Sequence, residues 1–488
     1  MTEISTSPSP GRQRPSTPPQ HGAHSHPIAW WKLLLLAAGP GLVVMLADTD
    51  AGSVITAAQS GARYGYQLLW LQVALVPVLY LVQELTVRLG LATGKGHGEL
   101  IRDRFGATWA WLSASTLVIS CIGALVTEFV GLEGVGLLFG IRPWISVALA
   151  GAFLIVVSAT GAYRQVESVA LALGCFELAF VGVAVVSHPS AAAMTRALAQ
   201  GLGGNAGYWF LVAGNIGAVI MPWMIFYQQS AIIDKGLGPK HLKSARIETA
   251  AGAVITQAIM AAVLITAAAA LAGAAAKPLD TVPEIARALT PVLGPTWGRV
   301  VFSLGMVGAA AVAAIVVSLT AAWGLGEVAG YKRSLAHTPF EAPWFYAVFV
   351  VCVVVGGGLV LAKINLVELA VMVEVMNALL LPLVLGMLYL LALKALPDGW
   401  RLGKWRARLT GAVVVITSAV GLGAGLFGLL HTAPGARLRQ DSAVTARSRA
   451  TAPRAQPLGA RRGEGANRHG TPQLADAPGL SAHRGSRP

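Results

Sequence analysis

The amino-acid sequence predicts an all-α polytopic membrane protein. Of its 488 residues, 55% are hydrophobic and only 12% are charged, whereas a soluble domain carries about 25% charged residues. Several apolar runs exceed the roughly 18 residues that mark a membrane-spanning helix. The first of these runs is interrupted by two aspartates, Asp48 and Asp50, at the depth where a helix crosses the lipid core. These observations together indicate a membrane-embedded helical bundle with a broken first helix.

The apolar runs predict about eleven crossings. In chain order they are 28–62 with an interruption near Asp50, 66–91, 108–139, 144–162, 166–187, 207–233, 245–275, 296–328, 344–362, 365–393 and 408–431. Two shorter amphipathic segments, 98–105 and 282–293, predict helices at the membrane surface. Residues 28–431 therefore form the transmembrane domain.

Polar segments flank this domain on both sides. Residues 1–27 are rich in Pro, Ser and His, and we expect them to be a disordered cytoplasmic leader. Residues 432–488 are rich in Arg, Ala, Gly and Pro, and we expect a disordered basic tail. The formal net charge of +14 comes without a nucleic-acid-binding motif. It is better explained by membrane topology and contact with anionic lipid headgroups than by a nucleic-acid partner.

The basic residues also predict the orientation in the membrane. Lys and Arg gather in the leader and in the loops at 95–104, 235–246, 332–333 and 394–406, which all lie on one side of the predicted bundle. The positive-inside rule makes that side cytoplasmic. We therefore expect a multi-pass plasma-membrane protein with its N-terminus inside. Eleven crossings would then place the C-terminus outside.

The break in the first crossing predicts a cation site. Each carboxylate at the centre of a membrane helix costs roughly 2.5–3.5 kcal/mol on insertion scales. Gly52 and Ser53, which follow Asp48 and Asp50, weaken the helix locally and free backbone carbonyls. Ionisable groups at such a break are typical of ion pathways in transporters.

The sixth crossing carries a second break signal. Gly214, Gly217 and Pro222 interrupt it, and proline removes a helix hydrogen bond, so backbone carbonyls near Ala218 become available. One interpretation is a simple proline kink between packed helices. The other is that two broken helices, five crossings apart, form the substrate site of an inverted-repeat secondary transporter.

The residues after the first break resemble a known signature. Asp50-Ala51-Gly52-Ser53, followed by QSGARYGYQLLW at 59–70, is similar to the Asp-Pro-Gly-Asn and Gln-Ala-Gly-Ala-x-Tyr-Gly-Tyr-x-Leu-Leu-Trp motifs of the Nramp family of divalent metal transporters. Similarity continues at 92–95, at 137–141 and at Met221-Pro222. It extends from about Trp31 to the tenth or eleventh crossing.

The resemblance implies a fold and a ligand set. The family has a LeuT-type inverted repeat, crossings 1–5 against 6–10, with helices 1 and 6 broken and one metal ion bound between them. Asp50 then matches a metal ligand, and Ser53 stands where the family has a ligand asparagine. Ala218 would offer its carbonyl and Met221 its thioether. The metal ion is the transported substrate, so no cofactor is implied.

The departures from the family pattern fall on groups that the family uses to move protons. Trp223 replaces a histidine, and Leu125 replaces an acidic residue three positions before Glu128. These departures resemble those of a divergent, magnesium-transporting branch, which implies weak or absent proton coupling. Residues predicted to surround the ion, or to form an ion or proton path, are Asp48, Trp223, Glu128, Glu374 (where the family has glutamine) and Asn377.

The predicted ligands leave the choice of ion open. Mg²⁺ prefers an octahedron of oxygen atoms, whereas a thioether favours softer metals. If Met221 points into the site, Mn²⁺ or Fe²⁺ is favoured. If it packs away, Mg²⁺ is favoured.

A different function is also compatible with broken helices. In a sodium-coupled LeuT-type symporter of a small organic cation or amino acid, Asp50 would contact an ammonium group. The match at 59–70 and the Met221-Pro222 pair weigh against this alternative. The sequence lacks His-Glu-x-x-His, Gly-x-Ser-x-Gly and phosphate-loop motifs, so we do not expect an enzyme.

Overall fold

The computed structural model describes residues 39–159, 163–199, 203–271, 279–289, 293–362 and 365–432. The predicted leader, the predicted tail beyond residue 432 and the predicted start of the first crossing at residue 28 lie outside these ranges. Within the described residues the α-helices are α1 (Pro40–Ala47), α2 (Ala51–Tyr64), α3 (Leu69–Thr93), α4 (His97–Phe105), α5 (Ala107–Leu138), α6 (Pro143–Ala159), α7 (Tyr163–Gly174), α8 (Leu178–Val186), α9 (Ala191–Ala199), α10 (Ala206–Val219), α11 (Pro222–Asp234), α12 (Leu242–Ala270), α13 (Val282–Leu289), α14 (Gly294–Ala329), α15 (Pro343–Val360), α16 (Leu366–Lys394) and α17 (Lys404–Thr432).

The helices agree with the predicted number of crossings. Nine helical stretches in the described part of the chain are long and apolar enough to cross a membrane. One of them, Ala51–Thr93, contains both α2 and α3, which a short 3₁₀ turn beginning at Gly65 separates. Gly65 has a φ of 56°, a backbone conformation that glycine adopts without strain. The 17-residue apolar helix α6 supplies the remaining segment.

Crossings 1 and 6 are broken where the sequence predicts. Crossing 1 consists of α1 and α2, and Asp50 between them is extended, with φ −71° and ψ 172°. Crossing 6 consists of α10 and α11, and Met221 between them is extended, with φ −94° and ψ 142°. Pro222 is the first residue of α11, a position where its missing N–H costs no hydrogen bond. Proline also disfavours a helical conformation at the residue before it, which explains the extended Met221.

The broken helix of crossing 1 lies at the centre of the bundle. Its second part, α2, contacts α5, α10, α12 and α16, and residues Ala51 to Ala62 are buried without exception. Small residues allow this close approach, as is usual between membrane helices. A Cβ on Gly131 of α5 would lie 2.6 Å from the Cβ of Ala51.

Crossing 5 contains an interruption that the sequence analysis did not predict. We expected one continuous helix at 166–187, but a 3₁₀ segment, Cys175–Glu177, separates α7 from α8. Short 3₁₀ segments within a helix often accompany functional or strained positions. This interruption brings Glu177 into the protein interior, where it is fully buried.

The predicted surface helix at 98–105 is α4, and half of it is buried. His97 is inaccessible to solvent, and burial lowers its pKa to about 4, so the ring is neutral. Its Nδ1 lies 3.3 Å from the Gln229 side-chain oxygen of α11. The Gln229 amide donates to the Lys95 carbonyl at 2.7 Å. Gln229 thus ties α11 to the loop that precedes α4.

Gly217 provides a test of the close packing between crossings 6 and 10. A Cβ there would collide with the backbone carbonyl oxygen of Glu374 and lie 2.7 Å from the Ala378 nitrogen. Since backbone atoms cannot move aside easily, we expect Gly217→Ala to lower the thermal stability, by an overpacking cost of about 1–3 kcal/mol. The measurement is the melting temperature of the detergent-purified protein. Gly386→Ala in α16 is the control, because its Cβ would meet open space, and equal melting of the two variants would contradict the packing argument.

Candidate metal site

Asp50 has a structural and an electrostatic role at the break in crossing 1. One carboxylate oxygen accepts the Ser53 backbone N–H at 2.6 Å, which makes Asp50 the N-cap of α2. The other oxygen, Oδ2, is buried and has no hydrogen-bond partner among the described residues. Capping therefore orients the side chain and leaves one oxygen available to a ligand.

Ser53 and Ala218 meet across the two broken helices. The Ser53 hydroxyl donates to the Ala218 carbonyl oxygen at 2.9 Å. In a continuous helix that carbonyl would accept the N–H of the residue four positions later. That residue is Pro222, which has no N–H, so the carbonyl is free to bind elsewhere. Two predicted ligands are thus adjacent in the structure.

Glu128 of α5 holds the other side of the first break. Its Oε2 accepts the Ala51 backbone N–H at 3.1 Å, and its Oε1 accepts the Thr127 hydroxyl at 3.2 Å. A carboxylate at the first turn of α2 is also stabilised by the helix dipole. Glu128 lies beside the carboxyl group of Asp50, as expected for a residue that surrounds the site.

Glu374 and Asn377 approach from α16. The Asn377 amide donates to Glu374 Oε2 at 3.2 Å, and the Ser120 hydroxyl donates to Asn377 Oδ1 at 2.8 Å. Glu374 Oε1 is buried without a partner among the described residues. A Cβ on Gly52 would collide with that oxygen, so the absence of a side chain at Gly52 lets Glu374 reach the first break.

The Met221 thioether is already engaged by Trp223. The indole N–H donates to the sulfur at 3.1 Å, and both side chains are completely buried. This contact is possible because Met221 is extended rather than helical, so that residues two apart can meet. Trp223, at the position where the family has histidine, therefore acts on the one soft donor of the predicted ligand set.

Two acidic residues lie near the first break without a bonded partner. Both carboxylate oxygens of Asp48 and both of Glu177 are buried and unpaired within the described residues. The N-cap of α2 is Asp50, whereas Asp48 ends α1 through its backbone N–H and its side chain caps neither helix. Glu177 was not among our predicted site residues, since one carboxylate in the apolar run of crossing 5 gives no motif.

The electrostatics of this region favour a bound cation. The carboxylates that act on one another here are all completely buried, namely Asp48, Asp50, Glu128, Glu177 and Glu374. Uncompensated buried charges cost several kcal/mol each. By contrast, the buried Glu84 of α3 forms ion pairs with Arg88 and Arg246, each at 2.6 Å.

The donor atoms at the two breaks are chemically mixed. They are a carboxylate oxygen of Asp50, the hydroxyl of Ser53, the carbonyl of Ala218 and the thioether of Met221. Within the described residues, no three His, Cys, Asp or Glu side chains are grouped closely enough to hold a metal ion together. Oxygen donors of this kind suit hard divalent cations.

The fold and the site together define a class of protein. Interrupted helices in crossings 1 and 6, joined across their breaks and surrounded by buried carboxylates, are typical of membrane transporters with inverted repeats. A family model described as natural resistance-associated macrophage protein-like, or Nramp, matches residues 41–425. The chain belongs to the Nramp family, as the motif after Asp50 predicted.

Relatives of known name agree with this assignment. A protein of Yersinia pestis (strain Pestoides F), named divalent metal cation transporter MntH, is 32% identical over 298 residues, which are 59% of this chain and 72% of the relative. The protein of the same name from Klebsiella pneumoniae (strain 342) is 29% identical over 321 residues, which are 64% of this chain and 75% of the relative.

A solved structure supports the architecture. The manganese transporter of Eremococcus coleocola, crystallised with an aromatic bis-isothiourea substituted compound, superposes with a TM-score of 0.66 at 18% sequence identity. The match covers 87% of this chain and 93% of the other. The predicted LeuT-type fold, with crossings 1–5 repeated as 6–10, is thereby confirmed.

The capping role of Asp50 can be separated from its charge. Asparagine is as good an N-cap as aspartate, whereas alanine does not cap. We therefore expect Asp50→Asn to be more stable than Asp50→Ala by about 0.5–2 kcal/mol, although both lose the carboxylate. The measurement is chemical or thermal unfolding of the two purified variants. Equal stability would show that the bond to the Ser53 N–H does not hold α2 in place.

Proposed function

We propose that this protein carries divalent metal cations across the plasma membrane by alternating access, with the ion bound at Asp50. The observation that carries the proposal is the Ser53–Ala218 hydrogen bond, because it joins the breaks of crossings 1 and 6 beside an unpartnered carboxylate oxygen. Family membership favours a metal ion over the organic solute of a sodium-coupled symporter. Residues 28–431 would form the transporter domain, with the N-terminus in the cytoplasm.

The spacing of the oxygen donors supports a small cation. Mg²⁺ binds oxygen at about 2.0–2.1 Å in an octahedron, which places neighbouring ligand oxygens about 2.9 Å apart. The Ser53 hydroxyl and Ala218 carbonyl oxygens are 2.9 Å apart. Ca²⁺ takes six to eight oxygen ligands, more than Asp50, Ser53 and Ala218 supply at the two breaks, whereas Mg²⁺ keeps several of its water molecules. An ion could therefore replace the hydrogen bond with little movement of either helix.

The hydrogen bond to the Met221 sulfur favours a hard ion over a soft one. A hydrogen bond from Trp223 uses electron density on the sulfur that a soft metal would otherwise bind. The remaining donors at the breaks are oxygen atoms. We therefore propose that Mg²⁺ and Mn²⁺ are the transported ions, with Fe²⁺ disfavoured.

The arrangement around Glu128 supports transport with little proton coupling. Trp223 and Leu125 cannot carry a proton at the positions where the family has a histidine and an acid. Glu128 is tied to the Ala51 N–H, and opening that bond would leave the first turn of α2 without its partner. Metal entry would then be driven mainly by the metal gradient and the membrane potential.

Alternating access would use the two breaks as its moving elements. Asp50 and Ser53 belong to the first repeat, and Ala218 and Met221 belong to the second. A rocking motion of one repeat against the other would keep these groups around the ion while exposing it to each side in turn.

Uptake into proteoliposomes tests the assignment of Asp50. We expect saturable uptake of Mg²⁺ and Mn²⁺, weaker uptake of Ca²⁺, and loss of saturable uptake in Asp50→Asn, which keeps the helix cap. Glu133→Gln is the control, because Glu133 is a buried carboxylate of α5 on which no charged group among the described residues acts. A pH-sensitive dye inside the vesicles should report no acidification. Saturable uptake in Asp50→Asn would refute the site, and co-entry of protons would refute uncoupled transport.

Trp223 provides a test of the ion selectivity. Removing the indole N–H by Trp223→Phe should free the Met221 sulfur and lower the KM for Cd²⁺ roughly 2- to 10-fold, the equivalent of one hydrogen bond. Uptake of Mg²⁺ should change much less. In the Trp223→Phe background, Met221→Leu should reverse the gain, and it should have a smaller effect in the wild-type protein. A parallel change for Cd²⁺ and Mg²⁺, or independence of the two substitutions, would contradict this role for Trp223.

A further inference from the structure

The interruption of crossing 5 faces the interruption of crossing 1. The 3₁₀ segment Cys175–Glu177 follows Gly174, where a Cβ would lie 2.7 Å from the Leu46 side chain of α1. The end of α7 also packs against α14. A Cβ placed on Gly308 of α14 would be 2.5 Å from the Leu173 carbonyl oxygen. Crossings 1, 5 and 8 therefore meet at Glu177.

Three polar side chains at this meeting point are buried without hydrogen bonds. They are Asp48, Thr49 and Glu177, and all of their side-chain oxygens are inaccessible and unpaired within the described residues. The Thr49 hydroxyl faces the Glu177 carboxylate. The carboxylates close enough to act on Asp48 are those of Asp50, Glu374 and Glu177. These unpaired oxygens lie on crossings 1 and 5, a different pair of crossings from the pair that the Ser53–Ala218 contact joins.

The buried, unpaired oxygens of Asp48, Thr49 and Glu177 cost free energy unless a ligand binds them. A buried polar atom without a partner costs about 1–3 kcal/mol, and more when it is charged. Asp50 and Glu128 avoid this cost in part, because each accepts a backbone N–H, and Glu374 accepts an amide. Asp48 and Glu177 receive no such bond among the described residues. A ligand with positive charge and affinity for oxygen would satisfy both.

We propose that Asp48, Thr49 and Glu177 bind a second, hard cation, separate from the ion at Asp50. Carboxylate and hydroxyl oxygens bind both Na⁺ and Mg²⁺. Titration with each salt separately distinguishes these two ions. Because the site bridges crossing 1 to crossing 5, its occupancy would tie the break of the first repeat to the interruption in crossing 5. This proposal is independent of which metal the Asp50 site transports.

The test uses the full-length protein in detergent with the Asp50 site disabled. In Asp50→Asn, the melting temperature is measured against increasing NaCl or MgCl₂, with N-methyl-D-glucamine chloride holding the ionic strength constant. We expect a rise that saturates with one of the two cations. Glu177→Gln in the same background should abolish this rise, and Glu133→Gln should preserve it. If Asp50→Asn does not give a monodisperse protein, the same titration is made on the wild-type protein saturated with Mn²⁺.

The possible outcomes are distinct. Saturation by Na⁺ identifies a monovalent site, and saturation by Mg²⁺ identifies a divalent one. The absence of any saturable rise, or an equal rise in Glu177→Gln, overturns the proposal. Stabilisation that depends on pH alone and is the same in all three salts also overturns it, because it would show that Asp48 and Glu177 carry protons instead. Failure of metal uptake with a preserved rise would refute the proposed transport function and leave the second site intact.

Discussion

The architecture of the site depends on one constraint, the lack of water to satisfy free backbone groups inside a membrane. Such groups must find partners within the protein, and the two broken helices solve this problem in a complementary way. Pro222 removes the N–H that the Ala218 carbonyl would otherwise accept, and the Ser53 hydroxyl takes its place at 2.9 Å. Asp50 satisfies the Ser53 N–H, and Glu128 satisfies the Ala51 N–H. The groups that repair the breaks are therefore the same groups that we propose as the surroundings of the ion.

Because the same residues break the helices and satisfy the freed backbone groups, much of the region around the breaks could be predicted from sequence. Aspartate, glycine and proline within apolar runs disturb helices by local chemistry, so both breaks could be located without knowledge of the tertiary structure. The resemblance to the family then predicted Asp50, Ser53 and Ala218 as ligands, and the structure brings Ser53 to Ala218. The number of crossings followed from hydropathy alone, because a membrane leaves few alternatives to apolar helices.

Other features depended on tertiary position and could not be predicted. Glu177 is a single carboxylate in an apolar run, and only the packing of crossing 5 against crossings 1 and 8 gives it significance. The bond between Trp223 and Met221 required the extended conformation of Met221, since residues two apart on a continuous helix do not face each other. The replacement of histidine by Trp223 was visible in the sequence, but its effect on the thioether was not.

The balance of charge links these features. The single divalent ion that we propose at Asp50 would supply two positive charges to a region with buried carboxylates on four crossings, namely Asp48, Asp50, Glu128, Glu177 and Glu374. Hydrogen bonds stabilise Glu128 and Glu374 in place, and the proposed transported ion would compensate Asp50. Asp48 and Glu177 are left with neither kind of partner in the described residues. Because the cost of two such charges would be several kcal/mol each, the region needs either protons or another cation there, independently of whether the ion at Asp50 is Mg²⁺ or Mn²⁺.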